Sequence, residues 1–449
     1  MHTTDVFARA EMESTGPPAP LSVDYSDVSA GFLCDLTLKH VAQSAEPTTN
    51  LIAEQLCLPC SLTEELLQLL YREKLIEVKL RAAMNVTRYA MLDRGWERLM
   101  RVQSLCGYTG PAPVSLGDYT YMMRLQAVPP RAATIQTNRT AFRDLILPDS
   151  LLQTLGCVVN SRRSLFLTGL PGTGKTAVSE RINAALPGAI WIPYAIEVDG
   201  QVIRVFDGHN HRPVPPDKMP TEYDRRWVCI QRPLVIVGGE LTLENADLQW
   251  SEIARFYEAP FQMKSNGGTL VIDDFGRQRV SPVDLLNRWI LPLERRIDYL
   301  TLHNGKKIEV PFEQLIVFST NLEEKELVDD SFLRRIGYRA RVEPPTPDAY
   351  VEIFKNSASA RGIKVKGSCY AHVLNKYLVE NRQMKACEPR DLLDRITDIC
   401  LFEGRILEVT PELIDTAWSN YFGSSHSFPA NDTERSTAPE YIDASLLPA

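Results

Sequence analysis

No run of apolar residues in this 449-residue chain approaches the roughly 18 to 20 that a membrane-crossing helix needs, so no helical membrane span is expected. The opening "MHTTDVFARAEMESTGPPAP" lacks the basic and apolar segments of a secretory signal, and a cytoplasmic location is the expectation. Cysteine is sparse, scattered and odd in number, nine residues in all, which suits reduced thiols better than a disulfide framework. One CxxC stands out, Cys57 and Cys60 in "CLPC", but no second pair follows at zinc-finger spacing. His209 and His211 in "GHNHRP" are equally alone, so both clusters read as turn or loop residues. An excess of basic charge is missing too: 49 Lys and Arg stand against 57 Asp and Glu. That balance excludes a protein whose whole surface coats nucleic acid and leaves a local basic patch open. There is no internal repeat.

A chain of this length, 44% hydrophobic and 24% charged, reads as globular with two to four domains. Residues 1–27 and 423–449 are rich in Pro, Ser, Thr and acidic side chains, a composition that favours disorder. Residues 28–125 are compact. "SLTEELLQLLYREKLIEV" opens with Ser61 and Glu64 at capping-box spacing and sets Leu62, Leu66, Leu69 and Leu70 on one helical face. Short apolar runs around "MNVTRYAML" suggest a hairpin, and "DRGWERLMRVQSL" a further helix. This order of helices and hairpin resembles a winged-helix domain. Such domains often lay the helix after the turn in the DNA major groove. Here that helix starts with Glu64 and Glu65, and residues 1–125 hold 11 basic against 15 acidic side chains. Only Lys79, Arg81 and Arg88 offer phosphate contacts on the wing, so docking of a protein is favoured over DNA, which stays possible. A Pro-rich linker, 126–139, precedes residues 140–345, where apolar strand-like runs alternate with helical stretches. That alternation indicates an α/β domain with a largely parallel sheet, and 346–422 reads as mostly helical.

"SLFLTGLPGTGKTAVSERINAAL" carries the chemistry. A short strand, 164–168, runs into Gly169 to Thr176, which fits G-x-x-x-x-G-K-[ST], and a helix follows. Strand, Gly-rich loop and helix in that order define a P-loop context. Gly172 and Gly174 let backbone N–H groups turn toward phosphates, and the helix start adds a favourable dipole end. Lys175 would reach the β- and γ-phosphates, and the Thr176 hydroxyl would coordinate Mg²⁺. Gly169, Leu170, Pro171, Gly172, Thr173, Gly174, Lys175, Thr176 and Ala177 are therefore the candidate nucleotide-binding residues.

A magnesium nucleotide also needs a carboxylate at the end of a neighbouring strand. "GGTLVIDDFGR" supplies two, Asp273 and Asp274, where a solvated strand end and a turn is the plainer reading. Beside a P-loop, Asp273 takes the role of a Walker B metal ligand and Asp274 that of the group orienting the attacking water. A divalent cation relieves the repulsion between them.

Three later stretches, in order, make residues 140–420 resemble AAA+ ATPases. "QLIVFSTNL" places Asn321 where the family has sensor 1; "DDSFLRRIGYRARV" places Arg334 and Arg335 where it has arginine fingers; and "EPRDLLDRI" places Arg390 where it has sensor 2. The resemblance implies that Leu145 and Ile146 in "RDLIL" pack on the adenine. "FQMKSNGGTLVIDDFG" is similar to the branch of sigma-54 activators, magnesium chelatase subunits and MoxR proteins. About 100 residues separate Lys175 from Asp273, which leaves room for an insertion, with "GGELTLENADLQWSEIARFYEAP" as the candidate helix 2 loop. Asn304 and Gly305 sit between alternating arms, a hairpin signal just ahead of the sensor 1 strand. A winged helix joined to such a core also resembles certain bacterial AAA+ proteins.

The resemblance implies a hexamer or similar ring, ATP and Mg²⁺ as ligands, an arginine supplied in trans, and remodelling of a protein client. One departure stands out: the family usually has Asp-Glu where this chain has Asp-Asp. The missing methylene sets the carboxylate roughly an ångström back, which can cost on the order of a hundredfold in rate. A nucleotide switch with little turnover, or a DNA-bound regulator, are the alternatives.

Overall fold

The computed structural model describes residues 16–23, 28–80, 87–129, 132–323, 327 and 334–423. The two ends expected to be disordered lie mostly outside these residues, as does Arg81. Residues 16–23 run along the protein: Pro17 O accepts from Asp224 N at 2.7 Å, and Val23 N donates to Glu65 Oε2 at 3.2 Å.

The N-terminal unit comprises α1 (Ala30–Gln43), α2 (Thr49–Leu56), α3 (Cys60–Arg72), an antiparallel pair β1 (Ile76–Leu80) and β2 (Thr87–Met91), and α4 (Asp93–Leu105). Leu62, Leu66, Leu67 and Leu70 of α3 are buried, while Ser61, Glu64, Glu65 and Gln68 are exposed. The helix begins one residue before the expected capping box. Pro59 is its N-cap and no side chain caps it, because the chain leaves a left-handed Cys57 (φ 56°) through Pro59 with its fixed φ.

Next come β3 (Val114–Ser115) and α5 (Leu116–Leu125), then α6 (Ile135–Ala141), α7 (Asp149–Ser161), β4 (Leu165–Thr168) and α8 (Lys175–Ala184). Six short strands follow: β5 (Ala189–Pro193), β6 (Ala195–Val198), β7 (Gln201–Arg204), β8 (Trp227–Gln231), β9 (Leu234–Val237) and β10 (Gln249–Trp250). After β11 (Tyr257–Glu258) and β12 (Thr269–Ile272) come α9 (Pro282–Arg295), the hairpin β13 (Ile297–Thr301) and β14 (Lys307–Pro311), then β15 (Leu315–Thr320) and β16 (Tyr338–Arg341).

The central sheet has the order β16-β4-β15-β12-β9 with all its pairings parallel. Strands β12 and β15 are buried along their whole length, as expected of parallel strands covered on both faces. Between β4 and β12 the chain builds a second, β-rich body. Its sheet has the order β10-β11-β7-β6-β3, with β5 and β8 paired alongside. Tyr119 and Met122 of α5, Trp191, Ile196, Tyr257, and Leu300 and Val310 of the hairpin share one core. Thus β3 and α5, which follow the N-terminal helices in sequence, pack with the inserted sheet. Ala195 and Val202 of that sheet join the N-terminal core, so the two bodies are packed together. Residues 238–260 form a 3₁₀ turn at Leu243–Ala246 and the two-residue strands β10 and β11. Thr242 and Asn245 cap that turn reciprocally, a local hydrogen-bonding alternative to continued helix.

Four helices close the chain: α10 (Pro347–Ala360), α11 (Gly367–Val379), α12 (Glu388–Glu403) and α13 (Pro411–Phe422). They enclose their own core of Tyr350, Phe354, Leu374, Leu393, Ile396 and Trp418.

The "GHNHRP" segment is a hydrogen-bonded turn. His211 Nδ1 accepts from Asp207 N at 2.9 Å, and its Nε2 meets Lys264 O at 2.8 Å, a pattern that demands the neutral ring. Burial holds the His211 pKa below its ordinary value, and burial does the same for His40, whose Nε2 meets Gly110 O. Below about pH 6.5 the unfolded chain takes up protons that these folded rings exclude, so thermal stability is expected to fall as pH drops from there. Replacing His211 with Gln flattens this slope in thermal melts between about pH 7.5 and 5.5, and the double change with His40→Gln flattens it further. An undiminished slope in the double variant contradicts the assignment.

Candidate nucleotide-binding site

The candidate residues gather at the carboxyl ends of β4, β12 and β15, where open α/β sheets bind ligands. Gly174, at φ 98°, turns the chain so that α8 starts at Lys175, a backbone conformation that only glycine adopts freely. Lys175 Nζ lies within the loop, donating to Gly169 O at 2.9 Å and Leu170 O at 3.1 Å. Burial lowers the Lys175 pKa, and the carboxylates of Asp273 and Asp274 pull it back up. Thr173 Oγ1 closes the loop from the other side onto Leu170 O at 2.9 Å.

Strand β15 lies between β4 and β12, yet Thr176 Oγ1 reaches across it to Asp273 Oδ2 at 2.7 Å. The other carboxylate oxygen, Oδ1, accepts from Ser319 Oγ at 2.8 Å and from Asp274 N at 3.1 Å. Three donors therefore orient Asp273. Gln278 holds the turn beyond: its Nε2 donates to Asp273 O at 2.8 Å, and its Oε1 accepts from Gly276 N at 2.8 Å. Phe275 anchors the turn from below, fully buried against Phe318 and Phe166. Asp274 is exposed and sits in the left-handed region at φ 49°, a conformation Asp tolerates better than most residues.

The oxygen pair of Thr176 and Asp273 suits Mg²⁺, a hard cation with octahedral bonds of about 2.0 to 2.1 Å, whose adjacent ligand oxygens lie about 3 Å apart. Among the described residues no three His, Cys, Asp or Glu side chains form a metal cage, and Mg²⁺ commonly completes its shell with phosphate and water.

A cavity of about 200 Å³ opens beside the loop, between the core and the C-terminal helices. Leu145 and Ile146 line one wall with Thr173, Gly174 and Ala177; Ile353, Asn356 and Arg390 line it from the C-terminal helices. Arg390 is paired with its neighbour Asp391 at 3.2 Å. Asn321 follows β15, and its Oδ1 is buried without a hydrogen-bond partner among the described residues. Leu170 and Pro171 form the exposed crest of the loop. Arg335 is tied to Glu294 at 2.6 Å, whereas Arg334 is exposed and has no ion-pair partner among the described residues.

Sequence reasoning missed Ser319 and Gln278. Ser319 lay inside the "QLIVFSTNL" strand, but its partnership depends on β15 running between β4 and β12, a long-range fact. Gln278 is five residues from Asp273, and only the tightness of the turn brings it back.

The strand order and the glycine loop define an α/β core of the P-loop type. The family model matching this chain is a domain of unknown function (DUF8689), which covers residues 346–420, the C-terminal helices. No curated protein matches the chain. Among solved structures, NtrX from Brucella abortus is 16% identical, covering 66% of this chain and 58% of its own, with a TM-score of 0.39. The same protein in complex with ATP gives a TM-score of 0.38 at 16% identity, with 66% and 59% covered. The RuvB Holliday junction branch migration motor of Thermotoga maritima is 13% identical, with 61% and 67% covered and a TM-score of 0.35. The chain thus spans less than two thirds of the NtrX chain, and likenesses this loose carry no argument about activity.

Replacing Ser319 with Ala removes a hydrogen bond to a charged, oriented carboxylate and is expected to lower unfolding free energy by about 2 kcal/mol. Urea denaturation measures it. An unchanged midpoint would mean that Ser319 does not hold Asp273.

Proposed function

We propose that the chain is an ATP-binding and ATP-hydrolysing AAA+ ATPase that works as a ring, a hexamer or a similar assembly, on a protein client. The observation that carries this reading is the bond from Thr176 to Asp273 beside Lys175, which joins the glycine loop to the acidic strand end. Lys175 would exchange its two loop carbonyls for β- and γ-phosphate oxygens. Thr176 and Asp273 would hold Mg²⁺, which when bound neutralises charge on the phosphates. Leu145 and Ile146 would pack on the base, and Arg390 would enter from the C-terminal lid. Asn321, whose buried Oδ1 has no hydrogen-bond partner among the described residues, would help place the water that Asp274 orients.

Arg334 is the better arginine finger, since Arg335 is occupied by Glu294 within the same chain. A finger acting in trans makes specific activity rise with protein concentration. The N-terminal unit is read as a winged helix that docks a client. The exposed face of α3, with Glu64 and Glu65, suits a protein surface better than a phosphate backbone. A second reading has support in Asp274, whose short side chain and left-handed backbone favour a slow nucleotide switch.

Steady-state ATP turnover separates these. Lys175→Ala and Asp274→Asn are expected to abolish turnover, and Arg334→Ala to reduce it by about 10³-fold or more, the range for fingers in other NTPases. Equal rates for wild type, Lys175→Ala and Asp274→Asn would exclude a motor. An Asp274→Glu chain that turns over faster than wild type would mark the native protein as a restrained hydrolase.

A further inference from the structure

The C-terminal lid rests directly on the phosphate loop. Cys387 N donates to Gly172 O at 3.1 Å. A β-carbon on Gly172, which has φ 81°, would lie 2.7 Å from Cys387 Sγ and 3.2 Å from Lys385 Cδ. A larger residue there would be strained at this φ and would force the Cys387 and Lys385 side chains to shift.

Behind this contact runs a buried chain of oxygen atoms. Tyr350 Oη lies 3.0 Å from Tyr377 Oη, which donates to Glu388 Oε2 at 2.6 Å. Lys385 N donates to the same carboxylate oxygen at 2.8 Å. Tyr377 has one hydroxyl proton and gives it to Glu388, so Tyr350 must be the donor to Tyr377. Glu388 is 2% exposed and both tyrosines 1%, which makes every partner in the chain costly to remove. Burial raises the pKa of both phenols, so both keep the protons that the chain uses.

A trans peptide points its C=O and the following N–H in opposite directions. With Gly172 O held by the lid, Thr173 N is turned into the loop, where it meets Leu170 O at 3.4 Å. The lid therefore sets the direction of one of the N–H groups that a phosphate would use. Arg390 follows Glu388 by two residues on α12, so the same anchor fixes where its guanidinium enters the cavity.

We propose that Glu388 is a positioning residue for the nucleotide reaction: its carboxylate holds the 385–387 loop, and that loop holds the Gly172–Thr173 peptide. Lid closure and the grip on phosphate are thereby set together. The assignment rests on the nucleotide-binding reading above and adds to it a residue that touches no ligand.

The test uses the full chain with Tyr377→Phe, which keeps the ring, and Glu388→Gln, which keeps the shape. Alkylation of Cys387 by N-ethylmaleimide, followed on its own peptide by mass spectrometry, reports on the loop without nucleotide. Both variants are expected to react about tenfold faster than wild type, and to show a KM for ATP raised by about the same factor with kcat less affected. Wild-type alkylation rates in both variants would overturn the assignment, whatever their melting temperatures. Faster alkylation with an unchanged KM would overturn it too, leaving Glu388 as an anchor of the lid alone. A wild-type chain that binds no ATP defeats the nucleotide reading itself, and is seen before any substitution is made.

Discussion

The hydrogen bond between Thr176 and Asp273 is the constraint around which the core is organised. It joins the strand that carries the glycine loop to a strand two places away, so it exists only if β15 lies between them and β12 is in register. Side chains in a strand alternate between faces, and a slip of one residue would turn Asp273 away from Thr176. The pairing of Ile272 with Phe318 on one side and Val237 on the other fixes that register, and Ser319 then reaches the same carboxylate. Burial of β12 and β15 on both faces makes any other register expensive, because it would strand apolar side chains at the sheet's polar end.

The inserted body has to respect that constraint. The chain leaves the core after α8 for β5 to β8, returns at β9 beside the place that β12 will take, and leaves once more to add β10 and β11 to the inserted sheet before β12. The hairpin β13–β14 packs its apolar face into the core of this inserted body and then feeds β15. Its tip is held as well, with His303 stacked on Trp250 at 4.7 Å and bonded to Tyr257. The hairpin shares a core with the inserted sheet, and Ala195 and Val202 of that sheet join the core of the N-terminal helices. Gly107 N on Ala254 O, at 3.1 Å, completes the path to the N-terminal unit.

How much of this was legible in the sequence follows from the range of each interaction. The glycine loop is a local motif whose spacing alone dictates its shape, and the apolar runs of β4, β12 and β15 could be read as strands because burial on both faces demands continuous apolar sequence, whereas β16, Tyr-Arg-Ala-Arg with no buried side chain, carries no such run. The hairpin around Asn304 and Gly305 was equally local. The capping box at Ser61 failed because the preceding left-handed residue and Pro59 decide where α3 begins. The β-rich character of the insertion was not visible: β6, β7, β10 and β11 are two to four residues long, too short to show a period. At the site, Thr176 and Asp273 could be paired by chemical need, since a metal-bound triphosphate requires both. Ser319, Gln278 and the contact of Cys387 on Gly172 have no local signature, because each depends on which segment the fold brings alongside.

The central claim is that Thr176 and Asp273 together form the cradle for a metal-bound triphosphate. It is tested most directly by titrating the purified chain with ATP, with and without Mg²⁺, for wild type and for Asp273→Asn. The account predicts that Mg²⁺ tightens binding to the wild-type chain and that this gain disappears in the variant. An equal gain from Mg²⁺ in both proteins, or no uptake of ATP by either, would contradict it.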